Sequence, residues 1–533
     1  MSSSVRLCLI DVVKTDNWIT SDLRLNLIML ASYLTKNKIL SPDDIRIINC
    51  TYESPVKVIT AFKPSLIGLS VMTPFYEKAL KLARKIKSVS NAPLVIGGYH
   101  ISGAPYSLDK IFDVGVIGEG EGALSDLIKL IIKEKFSKES FKKIKNLVYW
   151  KDGNLVISDR RPLISAEKIP EIDWNLVPPE QEFSYESVLK EEKPILVKSA
   201  PIFTARGCPY NCTFCAHQVL WPGGSGLRFF PAKRVGKEIE FLYKHKGVNC
   251  INIYDDTFAV SKNRLKELID ELSKRKLLGK VYFDTLFIRA NLVDEEFVRL
   301  LKKFGTLSVF IGIESGSIEV LDYLKCGSLK PKDVKRAVRL FNKYNISVIG
   351  AFMFFSPGEK SKDVGKTLAL AKWFANQPSA FAIRYSVTTP YPGTKLWDRA
   401  VKEKVIDVNN PNWSDYVMYN LLPSSVSPLI FFKGSFTDKE RLSYWKRIVQ
   451  ISEELHKKVT KCSDWVETGK IANSKNLELL KIFEARNIQL SLYSKLIMLM
   501  RHPLESIKKI KKKPIIVAYT YKEVKEYLHR VYK

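Results

Sequence analysis

The segment ARGCPYNCTFCAH, residues 205–217, gathers three of the chain's eight cysteines, Cys208, Cys212 and Cys215, into eight positions. Thiols crowded in this way point to metal or redox chemistry. A structural zinc site takes four protein donors, often as paired C-x2-C knuckles. The spacing here is C-x3-C-x2-C, and the nearest further cysteine in sequence is Cys250. His217 is the residue able to complete a zinc site. An iron–sulfur cubane usually takes four thiolates. Held by three, it keeps one iron open, which is what a catalytic cluster needs to bind a substrate or cofactor. Phe214, immediately before the last cysteine, can shield one side of it.

The elements that must position this loop lie between residues 199 and 400. Six strand-like stretches recur there: PIFTAR (201–206), CINIYDD (250–256), VYFDTLFI (281–288), LSVFIGIES (307–315), SVIGAFMFF (347–355) and FAIRYSVTT (381–389). Helical stretches such as 234–246, 263–275 and 331–345 separate most of them. Six β-α units in a row predict a parallel, partial (β/α)6 barrel with its chemistry at the carboxyl ends of the strands. The cysteine loop follows the first of these strands.

The first 140 residues alternate strand and helix at a shorter period, with strands expected at 5–13, 44–50, 66–73 and 93–100 and a last one opening 114–134. That pattern predicts a doubly wound, Rossmann-like parallel sheet, whose ligands bind at the strand carboxyl ends. The turns Gly97-Gly98 and Gly118-Glu119-Gly120 fall at those ends. Tight-turn geometry alone also explains such glycines. Residues 141–198 read as a hairpin around Asp152-Gly153 and a Pro-rich linker, and 401–533 as a basic helical region. The fold class is therefore α/β with a helical C-terminal region.

The C-x3-C-x-aromatic-C loop after a first barrel strand resembles the radical SAM superfamily. The resemblance implies that Cys208, Cys212 and Cys215 hold a 4Fe-4S cluster whose open iron binds S-adenosylmethionine (SAM). It implies reductive cleavage of SAM to a 5′-deoxyadenosyl radical that abstracts hydrogen from an unactivated C–H bond. Asp255 and Asp256, in YDDTF, resemble the family's acidic segment near the SAM amino group. Glu314 and Ser315, in IGIESGS, resemble the segment near the SAM ribose. The alternative for all four is helix capping at strand ends. Cys326, in LKCGS, is a candidate catalytic thiol, with a buried inert thiol as the alternative.

The N-terminal domain is similar to that of the cobalamin-binding subfamily, on GLSVMTPFYEKALKLARKIK, VIGGYHISGAP and VGVIGEGEGALSDLI. Gly97, Gly98, Gly118, Glu119 and Gly120 would then line the cobalamin site. The D-x-H-x-x-G cobalt-ligand motif is absent, and His100 sits instead in GGYHISG. Some relatives bind cobalamin without such a histidine and others have lost it, so cobalamin stays open.

With 85 Lys and Arg against 56 Asp and Glu, the net charge is +29. This points to a polyanionic partner or to a Lys-rich proteome. Hydrophobic residues at 46% and aromatics at 11% exclude a disordered chain. No leader or spanning segment is read, and cytoplasmic placement is expected, with peripheral membrane contact through the apolar and basic stretch 489–513. That stretch and the subfamily resemblance, to archaeal lipid-modifying members such as tetraether ring or calditol synthases, lead to an expected hydrophobic membrane-lipid substrate with ring or carbon–carbon bond formation. The alternative is cobalamin-dependent methylation of an unactivated carbon. An RNA-modifying enzyme ranks lower for want of an RNA-binding module, and a plain redox protein lower still. A reductant such as ferredoxin or flavodoxin is implied.

Overall fold

The computed structural model describes residues 5–12, 24–50, 53–177, 183, 185–190, 193–221, 226–416, 429–434 and 436–462. Residues up to Cys462 group as one compact unit. The stretch 489–513 lies outside the described residues.

Strands β1 (Leu7–Asp11), β2 (Ile45–Asn49), β3 (Leu66–Ser70), β4 (Leu94–Gly97) and β5 (Val114–Val116) pair in parallel in the order β2-β1-β3-β4-β5. Apolar runs such as LCLID and LIGLS, covered on both faces, suit such a sheet. The strand order reverses beside β1, and a reversal leaves a crevice at the strand carboxyl ends. The hairpin expected around Asp152-Gly153 forms as β6 (Leu147–Lys151) and β7 (Asn154–Ile157). It is not a separate element, however, because β6 pairs antiparallel with β5 and the sheet runs on to seven strands. The boundary expected at residue 140 therefore cuts through a sheet.

The antiparallel pair β8 (Tyr185–Lys190) and β9 (Lys193–Ile202) leads into the barrel. A short pair, β10 (Ala205–Arg206) and β11 (Arg228–Phe229), brackets the cysteine loop. Strands β12 (Cys250–Ile253), β13 (Tyr282–Asp284), β14 (Leu286–Ile288), β15 (Ser308–Glu314), β16 (Ser347–Phe354) and β17 (Ala380–Val387) follow. They form two parallel runs, β13-β12-β9 and β14-β15-β16-β17. Thr285, at φ +53°, bends one expected strand into β13 and β14. The first barrel strand is longer than PIFTAR and begins upstream, because β8 gives its edge a partner. The helix Glu295–Phe304 shows the local logic: Asp294 accepts a hydrogen bond from Phe297 N at 2.9 Å at its start, and Gly305 at φ +95° ends it.

A 25-residue helix, Asp438–Cys462, lies against β17. Trp445 meets Tyr385 edge-on at 5.2 Å, and Ser452 Oγ donates to the Ile383 carbonyl at 3.2 Å. It covers a strand that would otherwise present an open edge. Among the described residues, no helix is long and apolar enough to cross a membrane.

Candidate active site

Gly207, at φ +83°, turns the chain from β10 into the cysteine loop. A Cβ there would stand 2.2 Å from the Gly226 carbonyl oxygen, so no other residue fits. The loop is then fastened to the barrel. Thr213 N donates to the Leu324 carbonyl at 3.0 Å, Leu396 N donates to the Thr213 carbonyl at 3.0 Å, and Cys326 Sγ donates to the Asn211 carbonyl at 3.1 Å.

Burial pushes the Cys208 thiol up to about 11, with Asp256 and Cys212 adding to it. Burial likewise pushes Cys215 up to about 12, reinforced by Cys212, Asp256 and Cys208. The three thiols thus feel one another, and their ionised form needs a cationic centre. Among the described residues, no three or more His, Cys, Asp or Glu side chains converge on a single metal position. A cubane presents a different iron to each thiolate, so it does not require the three sulfurs to converge on one metal position. His217 Nδ1 lies 3.2 Å from Cys215 Sγ. Arg289 Nη1 lies 3.3 Å from Cys212 Sγ.

A cavity of about 830 Å³ opens between the carboxyl ends of the two parallel sheets. That is in the upper range for ligand pockets. On one wall stand Gly97, Gly98, Gly118, Glu119 and Gly120; on the other stand Asp255 and Asp256, with Asp284 and Thr285 beside them. Leu27, Leu30, Leu69, Met72, Phe203 and Phe287 make much of the lining apolar. Gly98, at φ +99°, is required by packing: a Cβ would meet the Val71 carbonyl oxygen at 2.8 Å. Gly97 differs, since a Cβ there would find only the Val116 carbonyl oxygen, at 3.8 Å. The cavity's size, its position at the strand reversal and this bare floor fit a large cofactor on the N-terminal wall.

The two aspartates of YDDTF part company. Asp255 is buried and accepts from Thr204 N at 2.7 Å, Thr204 Oγ1 at 2.5 Å and Ala205 N at 3.0 Å. Burial outweighs these bonds and holds its carboxyl up at about 7. It braces the strand that leads into the cysteine loop. Asp256 faces the cavity with a solvent-accessible side chain, the protein around it holds its carboxyl above the usual range, and it acts electrostatically on Cys208, Cys215 and Tyr99. It is the carboxylate that joins the cavity to the cysteine loop.

The remaining candidates lie elsewhere. Glu314, at φ +60°, pairs with Lys325 Nζ at 2.8 Å, both side chains being buried. Ser315 is fully buried, its Oγ 2.9 Å from Thr367 Oγ1. Neither lines the cavity, nor does Cys326, which is exposed and ends the helix Ile318–Lys325 at φ +53°. His100 is fully buried, bonded to Thr73 and Ser107 and stacked on Tyr76 at 3.9 Å. Burial pushes it down to about 3, so it stays neutral and packed away from the cavity. Sequence reasoning missed Arg206, Trp221, Tyr99 and Arg289. Arg206 and the Gly207 turn, directly before the first cysteine, were the available signal.

A family model described as the radical SAM superfamily matches residues 202–371, and one described as the B12 binding domain matches residues 23–128. An uncharacterized methyltransferase of Pyrococcus horikoshii is 28% identical over 426 residues, covering 78% of this chain and 85% of that protein. The anaerobic magnesium-protoporphyrin IX monomethyl ester cyclase of Cereibacter sphaeroides is 25% identical over 400 residues, covering 73% of this chain and 60% of that protein. The radical S-adenosylmethionine methyltransferase TsrM of Kitasatospora setae, solved with cobalamin and a [4Fe-4S] cluster, shares the fold at TM-score 0.61 and 18% identity over 85% of this chain and 89% of that one.

Proposed function

The chain belongs to the radical SAM superfamily and carries a B12 binding domain, and from that premise we propose that it is a cobalamin-dependent methyltransferase acting on an unactivated carbon. The observation that carries this reading is one cavity walled by Gly97 and the Gly118-Glu119-Gly120 turn on one side and by Asp256, beside the cysteine loop, on the other. When bound, the cluster would supply the electron that cleaves SAM to the 5′-deoxyadenosyl radical, and cobalamin the methyl group.

The chain's own residues hold, orient and exclude. Cys208, Cys212 and Cys215 are the cluster ligands. Asp256 offers a carboxylate to a cationic amine from the barrel side of the cavity. Asp255, through Thr204 and Ala205, fixes the strand end from which the loop departs. Gly97 leaves room on the opposite wall for a broad cofactor face. The apolar lining excludes water from a reactive radical and favours a hydrophobic substrate.

Methylation is favoured over ring formation on a membrane lipid. Relatives named as methyltransferases support it, among them the Pyrococcus protein and a bacteriochlorophyllide d C-8(2)-methyltransferase, 22% identical over 398 residues. The apolar and basic stretch 489–513 that motivated the lipid reading lies outside the described residues. The cyclase-named relative keeps carbon–carbon bond formation as a second reading.

The test is anaerobic reconstitution with iron, sulfide and hydroxocobalamin, followed by SAM labelled on its methyl carbon. The reading expects retained cobalamin, 5′-deoxyadenosine, and label transferred to the protein-bound corrinoid. Deoxyadenosine formed with no cobalamin retained would overturn methyl transfer and favour direct bond formation.

A further inference from the structure

We propose that Arg289 is a positioning residue for the cysteine loop and that its fixed charge raises the reduction potential of the cluster held there. The inference rests on the reading that Cys208, Cys212 and Cys215 are cluster ligands.

Arg289 follows β14, at the carboxyl end of the third barrel strand. All three guanidinium nitrogens are engaged. Nη1 lies 3.3 Å from Cys212 Sγ, Nη2 donates to Ser328 Oγ at 2.5 Å, and Nε donates to Asn291 Oδ1 at 3.4 Å. The guanidinium carbon stands 3.8 Å over the ring of Tyr210, which lies between the first two cysteines. Arginine stacks and forks in this way and lysine does not.

The contact continues behind Arg289. Ser328 Oγ donates to the Lys325 carbonyl, and Lys325 Nζ pairs with Glu314 at 2.8 Å. The same 324–328 segment receives Thr213 N and supplies the Cys326 thiol to Asn211. The loop is thus pinned to that segment from three sides. Of these three ties, only the Arg289 one ends on a ligand sulfur.

A permanent cation donating to a ligand sulfur favours the state with one more electron, since potentials of such clusters follow net charge and hydrogen bonds to sulfur. Arginine keeps its proton at any working pH. The bias is therefore constant with pH, unlike one supplied by a histidine.

The full chain would be reconstituted anaerobically as wild type, Arg289→Met, Arg289→Lys and Ser328→Ala. Iron per chain and the cluster midpoint would be read by EPR-monitored reductive titration without SAM. Arg289→Met is expected to make reduction at least ten-fold less favourable, about 59 mV lower for one electron. Arg289→Lys should recover part of that shift. Ser328→Ala should move it less, in the same direction, with iron content unchanged. Midpoints that coincide with wild type, or that move upward, would overturn the proposal. If Arg289→Met holds no cluster, the Lys and Ser328 variants decide by the same criterion. A wild type that binds no iron would instead overturn the cluster assignment, and this inference with it.

Discussion

Glu119, on the N-terminal sheet, and Arg206, two residues before the first cysteine of the loop, form a buried ion pair with Oε1 3.0 Å from Nη1. The same carboxylate accepts from Arg228 Nη2 at 2.8 Å, Trp221 Nε1 at 3.3 Å and Ile164 N at 3.0 Å. Arg206 also pairs with Glu121 at 2.5 Å. One side chain thus ties the cavity's N-terminal wall to both strands that bracket the cysteine loop.

Removing that hub takes the shared carboxylate from two buried guanidinium groups, leaving Arg206 with Glu121 and Arg228 with the Ile164 and Gly226 carbonyls. Glu119→Ala is expected to cost about 3 kcal/mol or more of unfolding free energy in urea. Burial pushes the Glu119 carboxyl up, but hydrogen bonding from Arg228 and the charge of Arg206 outweigh it and hold it below the usual range. Its contribution is present above the ordinary carboxylate value of 4.5. It is lost as pH falls through the lower folded value. Glu119→Gln should therefore shrink the acid limb of the stability profile. An unchanged limb would refute the electrostatic role.

Gly97 and Gly98 should respond oppositely. Gly98→Ala forces a Cβ against the Val71 carbonyl in a backbone conformation that L residues avoid, at a cost of about 2 kcal/mol or more. At Gly97, which lines the cavity, an added Cβ meets no such obstacle, and Gly97→Leu adds bulk to that wall. It should keep wild-type stability and iron content while losing retained cobalamin. Cobalamin retained at wild-type level by Gly97→Leu would remove the N-terminal wall from the cofactor site.

Each single alanine substitution at Cys208, Cys212 or Cys215 should abolish 5′-deoxyadenosine formation and sharply reduce iron per chain after reconstitution. Cys326→Ala should leave iron bound, because that thiol reaches a carbonyl of the loop rather than the other sulfurs. Iron loss in Cys326→Ala equal to that of the other three would make it a fourth ligand.

Glu238, on the helix Ala232–Lys246, is buried, and burial raises its carboxyl to about 7. The folded state thus holds a proton that the unfolded chain releases above about 4.5. Stability contributed by this group falls as pH rises from about 4.5 to 7. Glu238→Gln should flatten that decline, gaining roughly 2–3 kcal/mol relative to wild type at pH 8 compared with pH 4. Equal profiles in the two proteins would show that the carboxyl ionises freely.

The proposed cluster ligands and most of the architecture are legible in the chain because their signals are local. Cys208, Cys212 and Cys215 fall within one loop, and buried parallel strands announce themselves as short apolar runs between amphipathic helices. Asp255 and Asp256 were legible as a strand-end pair; both line the cavity, and only the fold showed that Asp255 is also engaged by Thr204 and Ala205. Glu314, Ser315 and Cys326 look like site residues in sequence, and the fold places them off the cavity wall, in a salt bridge, a hydroxyl pair and a helix end.

What the sequence determined by itself was therefore the chemistry: a three-thiol loop after a barrel strand, and a doubly wound sheet ahead of it. The tertiary structure alone decided which groups meet. Arg206 reaches Glu119 across 87 residues and Arg289 reaches Cys212 across 77. No periodicity or spacing rule spans such separations. The hairpin's place in the N-terminal sheet was likewise settled by the unpaired edge of β5, which a strand of almost any alternating sequence could have filled.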